Sequence, residues 1–94
     1  MENKIELSFD KKLSGLAGYQ YGMSEYKKQV EGKIDFDEDI ILIFPDNIVR
    51  IASSFIQGFF EEMVGKIGIS GIEERVKIES TRNDMKDIII KNLL

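Results

Sequence analysis

The sequence predicts a small α/β domain: a sheet of about four mostly parallel strands with helices, in βαβαβα order. Three observations predict it: a wholly apolar run at 40–44, a helical apolar stripe at 55–67, and an alternation of strand-like and helix-like segments. Such alternation is typical of a mostly parallel sheet with right-handed crossovers. We expect one domain over residues 1–94, because domains typically contain roughly 100–150 residues.

The first strand is predicted where Ile5, Leu7 and Phe9 alternate with polar residues. This period of two is typical of a half-exposed strand at a sheet edge, which can run antiparallel to its neighbours.

Three glycines follow between residues 15 and 22. We interpret them as a loop or bulge, and a ligand-contacting loop is the alternative. Their spacing matches neither a dinucleotide-binding nor a P-loop fingerprint.

A short helix is predicted next, with Ser24 as its cap, because Met23, Tyr26 and Val30 recur at three- and four-residue spacing. An acidic cluster, Asp35 to Asp39, follows it. The cluster lacks the glycine and the closing glutamate of a calcium loop. We therefore predict a solvated turn and no metal site.

The run from Ile40 to Phe44 is apolar and mostly β-branched, which predicts a strand covered on both faces at the centre of the sheet. Pro45 ends this strand, because proline cannot donate a ladder hydrogen bond. A helix opening at Ser53-Ser54 is predicted with a serine cap. Its apolar stripe comprises Phe55, Ile56, Phe59, Phe60, Met63, Val64 and Ile67.

The chain closes with a strand at Arg75 to Glu79 and a helix at Asp84 to Leu94. Phe59-Phe60 and Ile88 to Ile90 add more apolar surface than a small core is expected to hide. A homodimer is therefore a reasonable expectation.

The composition excludes several kinds of function. The chain has no Cys and no His, which excludes disulfides, thiolate and imidazole catalysis, and Cys/His zinc sites. A net charge of −4 argues against a general nucleic-acid binder. The N-terminus does not resemble a signal peptide, and no apolar run approaches the ~20 residues that a membrane span needs. We expect a cytoplasmic protein without a cofactor and without a membrane partner.

The candidate site is the connection from Pro45 to Ser54, because ligands of open α/β sheets bind beyond the carboxyl ends of the strands. The free N–H groups at a helix start favour an anion, such as a phosphate on a serine. The alternative is that one serine caps the helix and the other packs. Our candidate partner-binding or phosphorylation residues are Ser53, Ser54, Asp46, Asn47 and Arg50.

The segment Ile51-Ala52-Ser53-Ser54-Phe55-Ile56 at this helix start resembles STAS domains, the fold of bacterial anti-sigma-factor antagonists. The run that includes 22–30, the strand to Phe44 and Gly58-Phe59-Phe60 is similar to a STAS-like family of unknown function. Members of that family often occur near histidine-kinase-type ATPases. In the antagonists a helix beginning Asp-Ser-Ser-Gly is phosphorylated on its first serine, which corresponds to Ser53. This chain has Ala52 in place of the aspartate and Phe55 in place of the glycine.

The resemblance implies a non-enzymatic regulatory module that docks a protein partner, such as a histidine-kinase-like ATPase, with serine phosphorylation at the helix start. The alternative is a small acidic inhibitor from a phage or mobile element that blocks a host enzyme through Asp35 to Asp39, Glu61-Glu62 and Glu73-Glu74. No residue spacing indicates a paired catalytic site, so we expect no enzyme.

Overall fold

A computed structural model describes residues 3–94, and this part of the chain contains five strands and three helices. The strands are β1 (Asn3–Glu6), β2 (Gly15–Leu16), β3 (Ile40–Ile43), β4 (Arg50–Ile51) and β5 (Val76–Glu79). The helices are α1 (Tyr19–Gln29), α2 (Ser53–Arg75) and α3 (Met85–Leu93). The predicted α/β class with parallel strands is confirmed. The predicted strand number and βαβαβα order are not, because the strands form two sheets.

The larger sheet has the order β1-β3-β5, and both strand pairs are parallel. The central position of the apolar run is therefore confirmed, and the edge strand β1 is parallel rather than antiparallel. Ile40 and Leu42 are fully buried, whereas Ile41 and Ile43 are half-buried. Only one face of β3 is thus completely covered, unlike the two covered faces that the sequence predicted.

The smaller sheet pairs β2 with β4, setting Gly15 opposite Arg50 and Leu16 opposite Ile51. Its strands contain two residues each, too few for an alternation to be visible in the sequence. The Val49 amide also donates to the Ser14 carbonyl oxygen (2.8 Å). The first of the three glycines therefore lies in a strand rather than in the predicted loop.

The α1 and α2 helices cross where Gly22 faces Gly58. A Cβ atom added to Gly22 would lie 2.5 Å from the Phe55 carbonyl oxygen, and one added to Gly58 would overlap the Tyr19 carbonyl oxygen. Glycine at these two positions thus permits the close packing of the two helices. The α1 helix begins at Tyr19, so Ser24 lies inside it instead of capping it.

The core is formed largely by the first half of α2, whose Phe55, Ile56, Phe59, Phe60 and Met63 side chains are fully buried. Phe59 and Phe60 therefore supply no surface for a homodimer, and the dimer stays a prediction. A glycine break at residue 68 (φ 72°) interrupts α2, which then continues to Arg75. Among residues 3–94, no helix is long and apolar enough to cross a membrane.

Candidate functional site

The carboxyl ends of the three parallel strands lie together. The register places Glu6, Ile43 and Glu79 side by side across β1, β3 and β5. The segments that follow these strands, 7–14, 44–49 and 80–84, therefore start from the same edge of the sheet. This is the edge at which open α/β sheets bind their ligands.

Asn47 holds two of these segments together. Its side-chain amide donates to the carbonyl oxygens of Leu13 (2.7 Å) and Asp10 (3.2 Å). Ile48 beside it is fully buried. The Asn47 side chain thus stabilises the arrangement of these two segments. The neighbouring Asp46 is exposed to solvent.

The predicted serine cap of α2 is wrong. Ala52 is the N-cap residue, with an extended backbone (φ −80°, ψ 153°) and no side-chain cap. The small sheet sets this position, because the Ala52 amide donates to the Leu16 carbonyl oxygen (2.8 Å). Both serines therefore fall in the first turn of the helix.

The two serines have different contacts. Ser54 accepts a hydrogen bond from the Gly18 amide (2.9 Å) at its Oγ atom, which ties the start of α1 to the start of α2. Ser53 is exposed, and its hydroxyl group makes no hydrogen bond to any residue in the described range 3–94. Of the two, Ser53 is the hydroxyl that an incoming group can reach without breaking a contact.

A groove of about 730 Å³ opens beside the start of α2. Three cationic side chains line it: Lys12 from the segment after β1, Arg50 from β4 and Arg82 from the segment after β5. The larger apolar residues of its lining are Leu13, Leu16, Ile51 and Ile88. No acidic residue in the described part of the chain lines the groove, although the protein carries 17 acidic against 13 basic residues.

The three cations have different partners. Arg82 donates to both carboxylate oxygens of Asp84 (2.8 and 2.9 Å) and to the Val49 carbonyl oxygen (3.3 Å). The hydrogen bonds with Asp84 raise the pKa of Arg82, and they lower the pKa of Asp84. Arg50 donates to Ser14 Oγ (3.3 Å), and neither Arg50 nor Lys12 has an ion pair within residues 3–94. The charges on Arg50 and Lys12 therefore face the groove without a carboxylate partner.

Lys12 and Arg82 were missed from the sequence, although both follow predicted strands. Their position just after β1 and β5 could have indicated that they belong to the site, because neighbouring parallel strands end at a common edge. The direction of β1 was left open, so Lys12 could not be assigned to that edge. Of the predicted site residues, Arg50 lines the groove. Ser53 does not line it but follows Ala52, which does.

A smaller pocket of about 90 Å³ is lined by residues of α1 and α2, among them Tyr26 and Gly58. Tyr26 is 3% exposed, and its hydroxyl has no hydrogen-bond partner among the described residues. Burial, followed by the neighbouring Glu62, raises the pKa of Tyr26 well above its usual range. No group of three or more Asp or Glu residues in the described range is arranged to hold a metal ion.

A scan against protein-family models and searches of curated proteins and solved structures found no match. The resemblance to STAS-like domains stays a prediction, which depends on the start of α2, the strand to Phe44, residues 22–30 and Gly58-Phe59-Phe60.

Proposed function

We propose that this chain is a non-enzymatic, STAS-like regulatory module that docks a kinase- or ATPase-type protein partner. The docking surface consists of the groove together with Ser53 at the start of α2. One observation carries the proposal: the exposed Ser53 follows Ala52 at the start of α2, and Ala52 lines a groove that also contains cations from three separate segments. Buried neighbours such as Ile48 and Leu16 give this surface a fixed shape.

The surface also suits a phosphorylated form of Ser53. Its hydroxyl oxygen would take the γ-phosphoryl group of ATP from the partner's active site, with ADP leaving and the hydroxyl proton released to solvent. The phosphate would add about −1.5 to −2 charges at the positive end of α2. Phosphorylation would thus change the charge that the partner meets at the end of α2 that adjoins the groove.

Docking can be tested with the histidine-kinase-type ATPase encoded nearest to this gene. Its affinity for the purified chain would be measured by isothermal titration calorimetry with the wild type, Arg50→Glu and Lys66→Glu. The two substitutions change the net charge equally, but Lys66 is exposed on α2 about 20 Å along the helix from Ser53. We expect Arg50→Glu to weaken binding at least about tenfold, which is 1.4 kcal/mol, and Lys66→Glu to leave it unchanged.

Absence of binding by the wild type, or equal losses in both variants, would reject the proposed docking. Phosphorylation has a separate readout. After incubation with the ATPase and ATP, we expect the intact mass to rise by one phosphoryl group in the wild type and in Ser54→Ala, but not in Ser53→Ala. An unchanged wild-type mass would leave docking without a phosphorylation switch.

A further inference from the structure

We infer that the groove binds an acidic segment of the partner protein in which carboxylate side chains stand next to aliphatic or aromatic ones. The inference rests on the proposed docking function and names the chemistry of the partner segment. Its basis is the pairing, in one groove, of Lys12 and Arg50 with an apolar lining.

The charge of the groove selects an acidic partner. The molecule as a whole is acidic, with a net charge of −4, yet the described groove lining holds three cations and no carboxylate. Arg50 and Lys12 have no carboxylate partner within residues 3–94, so a partner's carboxylates would not have to displace an existing ion pair. Arg50 can hold such a group with two parallel hydrogen bonds.

The apolar lining selects a segment over a small free anion. Leu13 is 36% exposed, and Ile51 and Ile88 are half-buried beside it. A volume of about 730 Å³ lies in the range of roughly 300–1,000 Å³ typical of sites that hold several groups at once. An inorganic anion would leave this apolar surface in water, whereas an aliphatic side chain next to a carboxylate would cover it.

The number of cations argues against a nucleic acid. Nucleic-acid binders commonly neutralise roughly 6–10 phosphates, and their affinity comes largely from those contacts. Here Arg82 is already bound to Asp84, which leaves two cations with unpaired charge in the described lining. The groove therefore matches a short peptide with one or two carboxylates better than a strand of phosphates.

Selection from a random 12-residue peptide library displayed on phage, with the immobilised chain as bait, tests the inference. We expect the enriched peptides to combine Asp or Glu with Leu, Ile or Phe. The affinity of the best synthetic peptide would be measured by fluorescence anisotropy for the wild type, Arg50→Ser, Lys12→Ser, Leu13→Ser and the control Lys66→Ser. We expect the two cation variants to bind about five- to tenfold more weakly and Leu13→Ser several-fold more weakly, with Lys66→Ser unchanged.

Circular dichroism and the thermal midpoint of each variant would show that these losses do not come from unfolding, because all four side chains are exposed. The inference is overturned if no peptide is enriched, if the enriched peptides lack acidic residues, or if Arg50→Ser binds them as the wild type does. Tighter binding of a single-stranded oligonucleotide than of the best peptide would also overturn it.

The same peptide separates this inference from the proposed function. If the peptide binds the wild type more tightly than Arg50→Ser but the ATPase does not bind at all, the proposed partner class is wrong and the inference about the groove stands. If the ATPase binds and the peptide does not compete with it, docking stands and the inference is wrong.

Discussion

At the scale of single residues, neighbouring side chains of the same type have different roles. Ser53 and Ser54 follow each other at the start of α2, yet only Ser54 accepts a hydrogen bond from the Gly18 amide. Asn47, predicted as a partner contact, joins the segment after β3 to the Leu13 and Asp10 carbonyl oxygens. The sequence pattern assigned all three residues to one site. Their contacts differ: Ser54 and Asn47 make hydrogen bonds within the protein, whereas the Ser53 hydroxyl makes none within residues 3–94.

The serine pair gives a prediction for stability. Ser54→Ala should lower the free energy of unfolding by about 0.5–1 kcal/mol, because the Gly18 amide loses its acceptor and the site is partly solvated. Ser53→Ala should change it by less than about 0.5 kcal/mol. Urea denaturation of the three proteins measures both values. Equal effects of the two substitutions would contradict the assignment of separate roles.

The Arg82–Asp84 pair gives a prediction for pH. Its hydrogen bonds lower the pKa of Asp84 in the folded protein below the ordinary value of 3.8. A lowered folded-state pKa contributes stability above the unfolded-state value, and this contribution is lost as pH falls through the folded-state pKa. The pair is exposed, so the effect on stability should be small.

The pKa itself is the better measurement. We expect NMR titration of the Asp84 carboxyl carbon to give a midpoint below 3.8 in the wild type and a higher midpoint in Arg82→Ala. Lys77→Ala, which changes another exposed cation on the adjacent strand, serves as the control and should leave the midpoint unchanged. An unshifted midpoint in Arg82→Ala would show that the pair does not persist in solution.

At the scale of elements, the crossing of α1 and α2 positions the site. The two helices approach through Gly22 and Gly58, where any larger residue would meet backbone atoms. This approach places the start of α1 against the start of α2, so that the Gly18 amide reaches Ser54. The small sheet also positions the start of α2, because β4 leads directly into the N-cap residue of this helix.

Two glycines on α2 test the crossing. Gly58→Ala should destabilise the fold by roughly 1–3 kcal/mol, because backbone atoms of Tyr19 occupy the place of the new methyl group. Gly65→Ala, where no neighbour lies within 4 Å, should stabilise it by about 0.5–1 kcal/mol through helix propensity. Thermal and urea unfolding of both variants give the values. If Gly58→Ala stabilised the protein as Gly65→Ala does, the close approach would be wrong.

At the scale of the whole molecule, charge and topology act together. An acidic chain concentrates three cations at one groove. The parallel strands bring Lys12 and Arg82 to one edge in the segments after β1 and β5, and Arg50 joins them from β4, which pairs with β2. The exposed acidic turn at Asp35 to Asp39 lies before β3, at the amino end of that strand. An acidic inhibitor would use such a turn, whereas the proposed docking module would use the groove and Ser53.

The sequence by itself determined the class of fold, the central strand and the buried stripe of α2. These features depend on long apolar runs and helical spacing, which local periodicity records directly. It also predicted a site that includes Arg50 and Ser53, because ligands are expected where a strand ends and a helix begins, and Arg50 does line the groove. The predicted serine cap failed because a cap depends on backbone geometry, which the pairing of β2 with β4 sets here.

Only the tertiary structure decided which distant residues meet. Lys12, Arg50 and Arg82 are far apart in the chain, and no local pattern connects them. The parallel direction of β1 and the pairing of two-residue strands bring them together, and both depend on contacts between segments rather than on propensity within them. The physical reason is that strand pairing and helix crossing are set by packing over the whole core, whereas periodicity reports only which face of each element that core covers.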